Sequence, residues 1–262
     1  MATYLDRILV AHRVAAALDE RNLDAMLAAS LAMEPARGFR DALVGQRGHT
    51  LAVISEIKRR SPSKGDLKIG LDPAVLAATY ECGGAACLSV LTDVEHFGGS
   101  VADLRAARAA TSLPVLRKDF TVSERDVCDA RLMGADCVLL IAAAMTVDDL
   151  AAFHRLAIDI GLDVLVEIHD EHELEHALHA GATLVGVNQR DLVTFEVDHD
   201  RALRMAAVIP VGVVRVAESG VRGVRDAAAL AAAGYDAVLV GETVVTAPDP
   251  AAAVRDLRGP FS

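Results

Sequence analysis

"GGAACLSVL" (Gly83–Leu91) is the first of four similar stretches in this chain. The later three are MGADCVLLI (Met133–Ile141), AGATLVGV (Ala180–Val187) and AGYDAVLVG (Ala233–Gly241). In each stretch, a glycine and a small or aromatic residue precede an apolar run rich in β-forming side chains. The stretches begin about 50 residues apart, and a regular period of this length indicates a repeated structural unit.

Four further apolar runs lie before or between these stretches: LAVISEI (Leu51–Ile57), PVLRKD (Pro114–Asp119), DVLVEI (Asp163–Ile168) and VVRVA (Val213–Ala217). Together the runs give eight candidate strands about 25 residues apart, with helical patterns in most of the gaps. Strands that are apolar along most of their length are typical of a parallel sheet buried on both faces. We therefore predict an α/β protein, a (β/α)8 TIM barrel with an N-terminal helical extension.

A doubly wound parallel sheet is the alternative architecture, and it would need a glycine-rich phosphate turn after its first strand. This chain has SPSKG (Ser61–Gly65) at that point. We expect residues 1–262 to form a single domain, with the barrel over residues 51–262. Residues 1–50 are predicted to form the extension, as one or two capping helices with a loop around residues 35–48.

The composition disfavours several classes of function. A net charge of −11 argues against a nucleic-acid partner, because phosphate backbones bind basic faces. The chain has no apolar run of about 18 residues and no signal-peptide pattern, so we expect a cytoplasmic protein without membrane contact. The four cysteines form no C-x-x-C pair and are predicted to be buried free thiols without metal or disulfide. We expect a monomer, because no obvious docking element follows the eighth unit.

Polar side chains collect where the candidate strands end. In a barrel of this kind the chemistry lies at the carboxyl ends of the strands, so these residues are predicted to share one rim. A single polar residue at a strand end is explained by the loop that follows, but the number of charged groups favours a functional site. In strand order the rim candidates are Glu56 and Lys58, Thr92 and Asp93, Lys118 and Asp119, Glu167, Asn188 and Arg190, Glu218 and Ser219, and Gly241 and Glu242.

Lys118 is the most informative residue of this rim. Of the 26 basic residues in the chain, only four are lysines: Lys58, Lys64, Lys68 and Lys118. A lysine in a closed site can have its pKa lowered and act as an acid, whereas an arginine keeps its proton. We therefore interpret Lys118 as a proton donor, with a structural ion pair to Glu56 or Glu167 as the alternative.

Glycines just past the last two strands suggest a phosphate site. AESGVRG (Ala217–Gly223) and VLVGETV (Val238–Val244) each place a glycine just past a candidate strand. Backbone amides at such positions, together with a following helix, bind phosphate in many barrels. Each motif alone is weak evidence.

HELEH (His172–His176) matches the H-E-x-x-H zinc signature of metalloproteases. On a helix, however, Leu174, Ala177 and Leu178 form the inward stripe, which leaves the histidines on the opposite face. We interpret the motif as a solvated helix face, not as a metal site.

The chain resembles the indole-3-glycerol phosphate synthase family, whose members are (β/α)8 enzymes of tryptophan biosynthesis. The matching blocks run in family order: EIKRRSPSKG (Glu56–Gly65), SVLTD (Ser89–Asp93), FGGS (Phe97–Ser100), PVLRKDF (Pro114–Phe120), GADCVLLIAA (Gly134–Ala143), LVEIHD (Leu165–Asp170), GVNQRDL (Gly186–Leu192), ESGV (Glu218–Val221) and VLVGE (Val238–Glu242). The resemblance implies cyclisation of 1-(2-carboxyphenylamino)-1-deoxyribulose 5-phosphate with loss of carbon dioxide and water, without cofactor or metal.

The resemblance also implies roles for individual residues. Lys118 matches the family's general acid and Glu167 a further acid or base, while Glu56 and Glu218 match carboxylates that orient the lysines and the substrate. Asn188 matches a residue that positions the reacting groups. The expected substrate contacts are Lys58 near anionic groups, Arg190 near the carboxylate, Ser61, Ser219, Gly220, Gly241 and Glu242 around the phosphate, and Phe97, Phe120, Leu139 and Leu192 along the aryl ring.

Departures from the family pattern occur at Arg125, Asp126 and Asp129, and Gln189 stands where asparagine is frequent. Because of these changes, the family's usual contacts behind the rim are not expected to carry over to this chain. Two other functions stay open. Another phosphate-binding barrel, such as phosphoribosylanthranilate isomerase, would be expected to use a cysteine and an aspartate as acid and base. A barrel that binds a phosphorylated ligand without turnover would have no need of Lys118.

Overall fold

The computed structural model describes residues 4–62, 64–191 and 193–259. In chain order its strands are β1 (Ala52–Ile57), β2 (Arg60–Ser61), β3 (Gly65–Asp66), β4 (Cys87–Leu91), β5 (Val115–Lys118), β6 (Cys137–Ile141), β7 (Asp163–Ile168), β8 (Leu184–Asn188), β9 (Val214–Glu218) and β10 (Ala237–Val240). Strands β2 and β3 form a small antiparallel hairpin. The other eight close into a parallel barrel in the order β1-β10-β9-β8-β7-β6-β5-β4, which confirms the predicted (β/α)8 fold.

Helices follow the strands, and three more precede the barrel. They are α1 (Tyr4–Ala17), α2 (Leu23–Leu31), α3 (Phe39–Val44), α4 (Pro73–Gly83), α5 (Val94–Phe97), α6 (Val101–Ala110), α7 (Glu124–Met133), α8 (Val147–Asp159), α9 (Glu171–His179), α10 (His199–Ala206), α11 (Val224–Ala232), α12 (Glu242–Val245) and α13 (Pro250–Arg258). A 3₁₀ turn, Ala142–Ala144, follows β6.

The barrel strands are apolar on both faces because each face packs into a different layer. In β6, Cys137, Leu139 and Ile141 belong to the cluster inside the barrel, whereas Val138 and Leu140 belong to the layer under the helices. Side chains alternate between faces along a strand, so a strand buried on both sides cannot show a polar alternation. This explains why the sequence shows short continuous apolar runs.

The four repeated stretches share one local structure, a helix end followed by a strand. Gly84, Gly134, Gly181 and Gly234 all have positive φ, between +87° and +94°. The amide of the next residue donates to a helix carbonyl five residues earlier, at 3.0–3.1 Å in all four cases. This is the Schellman arrangement, which satisfies the carbonyls of the last helical turn and requires a residue that tolerates a left-handed backbone.

The N-terminal extension contacts both ends of the barrel. Helix α1 lies at the carboxyl end, where Arg13 donates to the carbonyl of Ala144 at 2.8 Å. Helix α3 closes the amino end: the carbonyl of Phe39 lies 3.6 Å from the Cys87 thiol at the start of β4, and Phe39 and Leu43 are fully buried. The prediction of one or two helices with a loop around residues 35–48 was wrong here. Among residues 4–50 the structure has three helices, and the third, α3, forms because Phe39 and Leu43, four residues apart, are both buried at the barrel floor.

In the described part of the chain, no helix is long and apolar enough to cross a membrane. All four cysteines are free thiols, as predicted, but only Cys87, Cys128 and Cys137 are buried, while Cys82 is exposed.

Replacing Phe39 by alanine tests the role of α3. We expect Phe39→Ala to lower the free energy of unfolding by about 3–5 kcal/mol, because a buried ring is lost and a cavity remains. Urea denaturation followed by circular dichroism measures the change. The control is Val211→Ala at a 99 % exposed position, which should change stability by less than about 0.5 kcal/mol. Equal effects of the two substitutions would contradict a closing role for α3.

Candidate active site

A cavity of about 750 Å³ opens at the carboxyl end of the barrel. Its lining brings together the predicted site residues that the structure describes: Glu56, Lys58, Ser61, Phe97, Lys118, Phe120, Leu139, Glu167, Asn188, Arg190, Glu218, Ser219, Gly220, Gly241 and Glu242. Of the other rim candidates, Asp93 and Asp119 also line the cavity, whereas Thr92 is buried and donates its hydroxyl to Asp119. Leu192 lies outside the described residues. Residues from every barrel strand or the loop after it thus face one space.

Lys118 lies at the centre of this cavity, between two carboxylates. Its Nζ is 2.9 Å from Oε2 of Glu167 and 2.8 Å from Oε2 of Glu218. Glu167 and Glu218 are only 2 % and 1 % exposed, so both charges depend on this ammonium for compensation. The side-chain amide of Asn188 donates to the other oxygen of Glu167 at 3.0 Å and fixes its orientation.

The three charges shift one another's proton affinities. Burial lowers the pKa of Lys118, but Glu167, Glu218 and Glu56 outweigh that effect and hold the pKa well above its ordinary value. The expectation of a lowered lysine pKa is therefore wrong. Burial raises the pKa of Glu167, but the charges of Lys118 and His169 and the hydrogen bonds from Lys118 and Asn188 bring it below its ordinary value. Lys118 is thus an ammonium facing an ionised Glu167.

Glu218 behaves differently, although it contacts the same lysine. Burial, opposed by Lys118 and assisted by the charge of Glu167, raises the pKa of Glu218 to about 7. Its Oε1 is buried and has no hydrogen-bond partner among the described residues, which disfavours the ionised form. Glu218 is therefore the group in this cluster that exchanges a proton near neutral pH.

Two glycines make room for the carboxylates. A Cβ built on Gly186 would lie 1.9 Å from Oε1 of Glu218, and one built on Gly241 would lie 2.3 Å from Oε1 of Glu56. Any larger residue would push these carboxylates away from the lysines. Glu56 in turn forms an ion pair with Lys58, so the two rim lysines both have carboxylate partners.

The loop after β8 contributes residues that the sequence analysis missed. Phe195, Val197 and His199 line the cavity. The Arg190 guanidinium donates to the carbonyl of Phe195 at 2.9 Å, which ties the arginine to this loop. An aromatic residue in the segment after Arg190 was the available signal. The sequence pattern does not show the backbone hydrogen bonds that return this loop to the rim, such as the one from the Asp198 amide to the Gln189 carbonyl at 2.8 Å.

Turns after the neighbouring strands β9 and β10 form the next part of the cavity lining. Ser219 and Gly220 have φ values of 64° and 72°, which turn their backbone sharply at the strand end. Gly223 and Gly241 precede α11 and α12, and neither helix start has a side-chain cap in the described structure. Across the cavity mouth, Lys64 Nζ lies 3.6 Å from Oε1 of Glu242.

The departures from the family pattern lie behind the rim. The Arg21 guanidinium donates to both carboxylate oxygens of Asp129 at 2.7–2.8 Å, and Arg125 donates to the carbonyl of Arg21 at 2.8 Å. Asp126 accepts from the Ser123 hydroxyl at 2.9 Å at the start of α7. Arg125 and Asp129 thus attach α7 to the N-terminal extension, while Asp126 stabilises the start of α7.

The HELEH histidines lie on the outer face of α9, as predicted. His172 is exposed and His176 is half-buried, while Leu174 and Ala177 are buried. Oε2 of Glu173 accepts from the His169 amide at 2.7 Å and lies 3.0 Å from the His169 ring, so the motif's glutamate has a structural role.

A barrel of eight parallel strands, with an ammonium and several carboxylates converging at the carboxyl rim, defines an acid–base enzyme of the (β/α)8 class.

Comparison with known proteins identifies the family. The indole-3-glycerol phosphate synthase family model matches residues 5–257. The indole-3-glycerol phosphate synthase of Parafrankia sp. (strain EAN1pec) is 50% identical over 253 residues, which cover 97% of this chain and 94% of the relative. That of Mycolicibacterium gilvum is 48% identical over 261 residues, covering 98% and 94%. Indole-3-glycerol phosphate synthase 1 of Streptomyces coelicolor is 53% identical over 222 residues, covering 85% and 82%.

Among solved structures, thiamine phosphate pyrophosphorylase from Pyrococcus furiosus superposes with a TM-score of 0.60 and 18% identity, covering 79% of this chain and 93% of that one. This likeness supports the fold alone.

The chain belongs to the indole-3-glycerol phosphate synthase family. It is a carboxy-lyase of tryptophan biosynthesis that acts on a small phosphorylated substrate.

Replacing Gly186 by alanine tests the space around Glu218. The new methyl group must displace the carboxylate from Lys118, and a misplacement of about 1 Å at a reacting centre can cost about 100-fold in rate. We expect Gly186→Ala to lose about 100-fold in kcat for indole-3-glycerol phosphate formation. Gly70→Ala, where a Cβ meets nothing within 4 Å, should keep its rate. Similar kcat values for both variants would contradict this packing constraint.

Proposed function

We propose that the cavity closes the indole ring of 1-(2-carboxyphenylamino)-1-deoxyribulose 5-phosphate, with Lys118 as the general acid. The observation that supports this most directly is the position of Lys118 between Glu167 and Glu218. A new carbon–carbon bond forms when the ring carbon that carries the carboxylate attacks the ketone carbon. The ketone oxygen becomes an alkoxide, which is a much stronger base than an amine. The Lys118 ammonium can therefore protonate it, although the neighbouring carboxylates hold the pKa of Lys118 above its ordinary value.

The later steps need further proton transfers. Loss of carbon dioxide returns an electron pair to the ring and restores its aromaticity. A second proton converts the new hydroxyl group into water, and a proton leaves the carbon next to the ring nitrogen. Glu167 is ionised, so its carboxylate is available to accept that proton. Glu218, 2.8 Å from Lys118 and with a pKa of about 7, is suited to return a proton to the lysine.

The remaining groups are assigned to binding. We assign the phosphate to the turns after β9 and β10, with Ser61 and the backbone at Ser219, Gly220, Gly241 and Glu242. Open helix starts at Gly223 and Gly241 support this assignment. Phe97, Phe120 and Leu139 lie on another part of the lining and are assigned to the aryl ring. Lys58 and Arg190 supply cations for the substrate's anionic groups, while Glu56 orients Lys58.

We further propose that residues 1–262 act as one monomeric domain in the cytoplasm, without a nucleic-acid partner. Three buried free thiols fit a reducing compartment, and the net charge of −11 disfavours phosphate backbones. Light scattering after size-exclusion chromatography should give a mass near 27.6 kDa. A mass of twice that value would contradict the monomer.

The activity itself has a direct assay. Purified protein mixed with the anilino-ribulose phosphate should release fluorescent indole-3-glycerol phosphate. Absence of product at micromolar enzyme would contradict the proposed reaction, and isomerisation of phosphoribosylanthranilate instead would identify the alternative barrel enzyme.

Replacing Lys118 by arginine tests the general acid. The charge stays, but a guanidinium does not give up its proton, so we expect kcat to fall by about 10²–10⁴-fold. Lys68→Arg, at an exposed lysine, is the matched control and should keep its rate. A near-native kcat for Lys118→Arg would assign proton donation to another group.

A chelator tests the expectation that no metal takes part. Prolonged incubation with EDTA followed by gel filtration should leave kcat unchanged within about twofold, since ammonium and carboxyl groups supply the proposed proton transfers. If activity were lost and zinc restored it, a metal would take part, and the histidines of the HELEH motif would be the candidate ligands.

A further inference from the structure

Helix α1 contacts the cavity rim through one histidine. His12 Nε2 lies 3.2 Å from Oδ2 of Asp93, in the loop after β4. Its ring packs against Phe120, in the loop after β5, with ring centroids 5.4 Å apart. The next residue, Arg13, donates to Ala144 after β6. The N-terminal extension is therefore attached to three successive loops of the barrel rim at this point.

Asp93 connects this helix to the aromatic side of the cavity. Its Oδ2 is also 3.1 Å from Nδ1 of His96, and its Oδ1 accepts from the His96 amide at 2.6 Å and the Phe97 amide at 3.3 Å. Asp93, Phe97 and Phe120 all line the cavity, and the two phenyl rings are 6.3 Å apart. We call Phe97 and Phe120 the aromatic wall.

A cation does not explain this cluster. His12, Asp93 and Asp119 each offer a ligand atom within 4.8 Å of the others. However, Oδ2 of Asp119 accepts from the Arg117 guanidinium at 3.0 Å and from the Thr92 hydroxyl, and Oδ1 accepts from the Phe120 amide at 2.8 Å. The Arg117 guanidinium, already bound to Asp119, repels a metal cation at this cluster. The arrangement is therefore a hydrogen-bond network.

We propose that His12 is a positioning residue for substrate binding: its ring holds α1 on Asp93 and Phe120 and thereby fixes the aromatic wall against the substrate's aryl ring. The proposal rests on the proposed function, because it takes Phe97 and Phe120 as aryl contacts. A side chain from outside the barrel thus sets the shape of one part of the active site.

The charges around His12 give this contact a pH dependence. The hydrogen bond with Asp93 raises the pKa of His12; burial lowers it, and the charges of Asp119 and Asp126 raise it, so the net shift is upward. Two groups weaken the effect of these anions on the pKa of His12. His96 also contacts Asp93, and Arg117 partly neutralises the charge of Asp119.

Because the docked state raises the pKa of His12, protonation favours docking. That contribution is complete below the ordinary value of 6.5 and is lost as the pH rises through the raised pKa. The aromatic wall should then loosen in alkaline solution. Substrate affinity should fall as a result. Loosening of the wall should have little effect on the rate of the chemical steps at Lys118.

Steady-state kinetics of His12→Gln and His12→Phe test the proposal. Glutamine can still donate a hydrogen bond and phenylalanine still stacks on Phe120, but neither titrates. We expect wild-type KM to rise about fivefold from about pH 6 to about pH 9. Both variants should already have a KM about fivefold higher at about pH 6, with a flatter profile and kcat within about twofold of wild type.

His179→Gln, on the exposed face of α9, is the matched control and should retain the wild-type profile. Asp93→Asn keeps the helix-capping oxygen but removes the charge, and it should reproduce the His12→Gln profile. The proposal is overturned if His12→Gln and wild type have the same KM across this pH range.

Amide hydrogen exchange separates this proposal from the proposed function, since it needs no turnover. In the ligand-free protein at about pH 6, His12→Gln should speed exchange in α1 relative to wild type, with α9 unchanged as an internal reference. Equal exchange in α1 overturns the proposal whatever the kinetics show. A wild-type protein that forms no product contradicts the proposed function instead.

Discussion

The site depends on one ammonium ion shared by two buried carboxylates. Without Lys118, Glu167 and Glu218 would be buried without a counter-charge, and breaking such an arrangement typically costs about 3–5 kcal/mol. The cluster is also asymmetric. Glu167 receives a second hydrogen bond from Asn188, whereas Oε1 of Glu218 receives none among the described groups. Two chemically identical side chains therefore have proton affinities shifted in opposite directions.

The barrel makes this cluster possible because its strands end at one level. Lys118 and Glu218 are the last residues of β5 and β9, and Glu167 is the last but one of β7. The three groups are therefore distant in the chain and come together only across the closed barrel. Space inside the barrel is limited, and Gly186 supplies it by omitting a side chain beside Glu218. The floor that α3 provides and the loop contacts that α1 makes then fix the two ends of the same interior.

Much of this organisation could be predicted from sequence, and the failures have physical causes. The strand positions could be predicted because a strand buried on both faces must be apolar throughout. The repeated glycines could be interpreted because a helix end needs a residue that adopts a left-handed backbone. Helix α3 was missed because a short helix has too few turns to show a period, and only the barrel floor explains Phe39 and Leu43. Phe195 was missed because its position depends on how a loop returns to the rim. The direction of the Lys118 pKa shift was wrong because burial and carboxylate charge act in opposite directions, and only distances decide which is larger.

The sequence by itself determined the eight alternating strands and helices, the polar residues at the strand ends, and the lysines at positions where this arginine-rich chain could have had arginine. These are local properties, set by residue type and spacing. The tertiary structure decided which carboxylates surround Lys118, which of them binds a proton near neutral pH, and that His12 reaches Asp93 from outside the barrel. Those properties depend on distances of a few ångströms between segments far apart in the chain, and electrostatic and hydrogen-bond energies vary steeply over such distances.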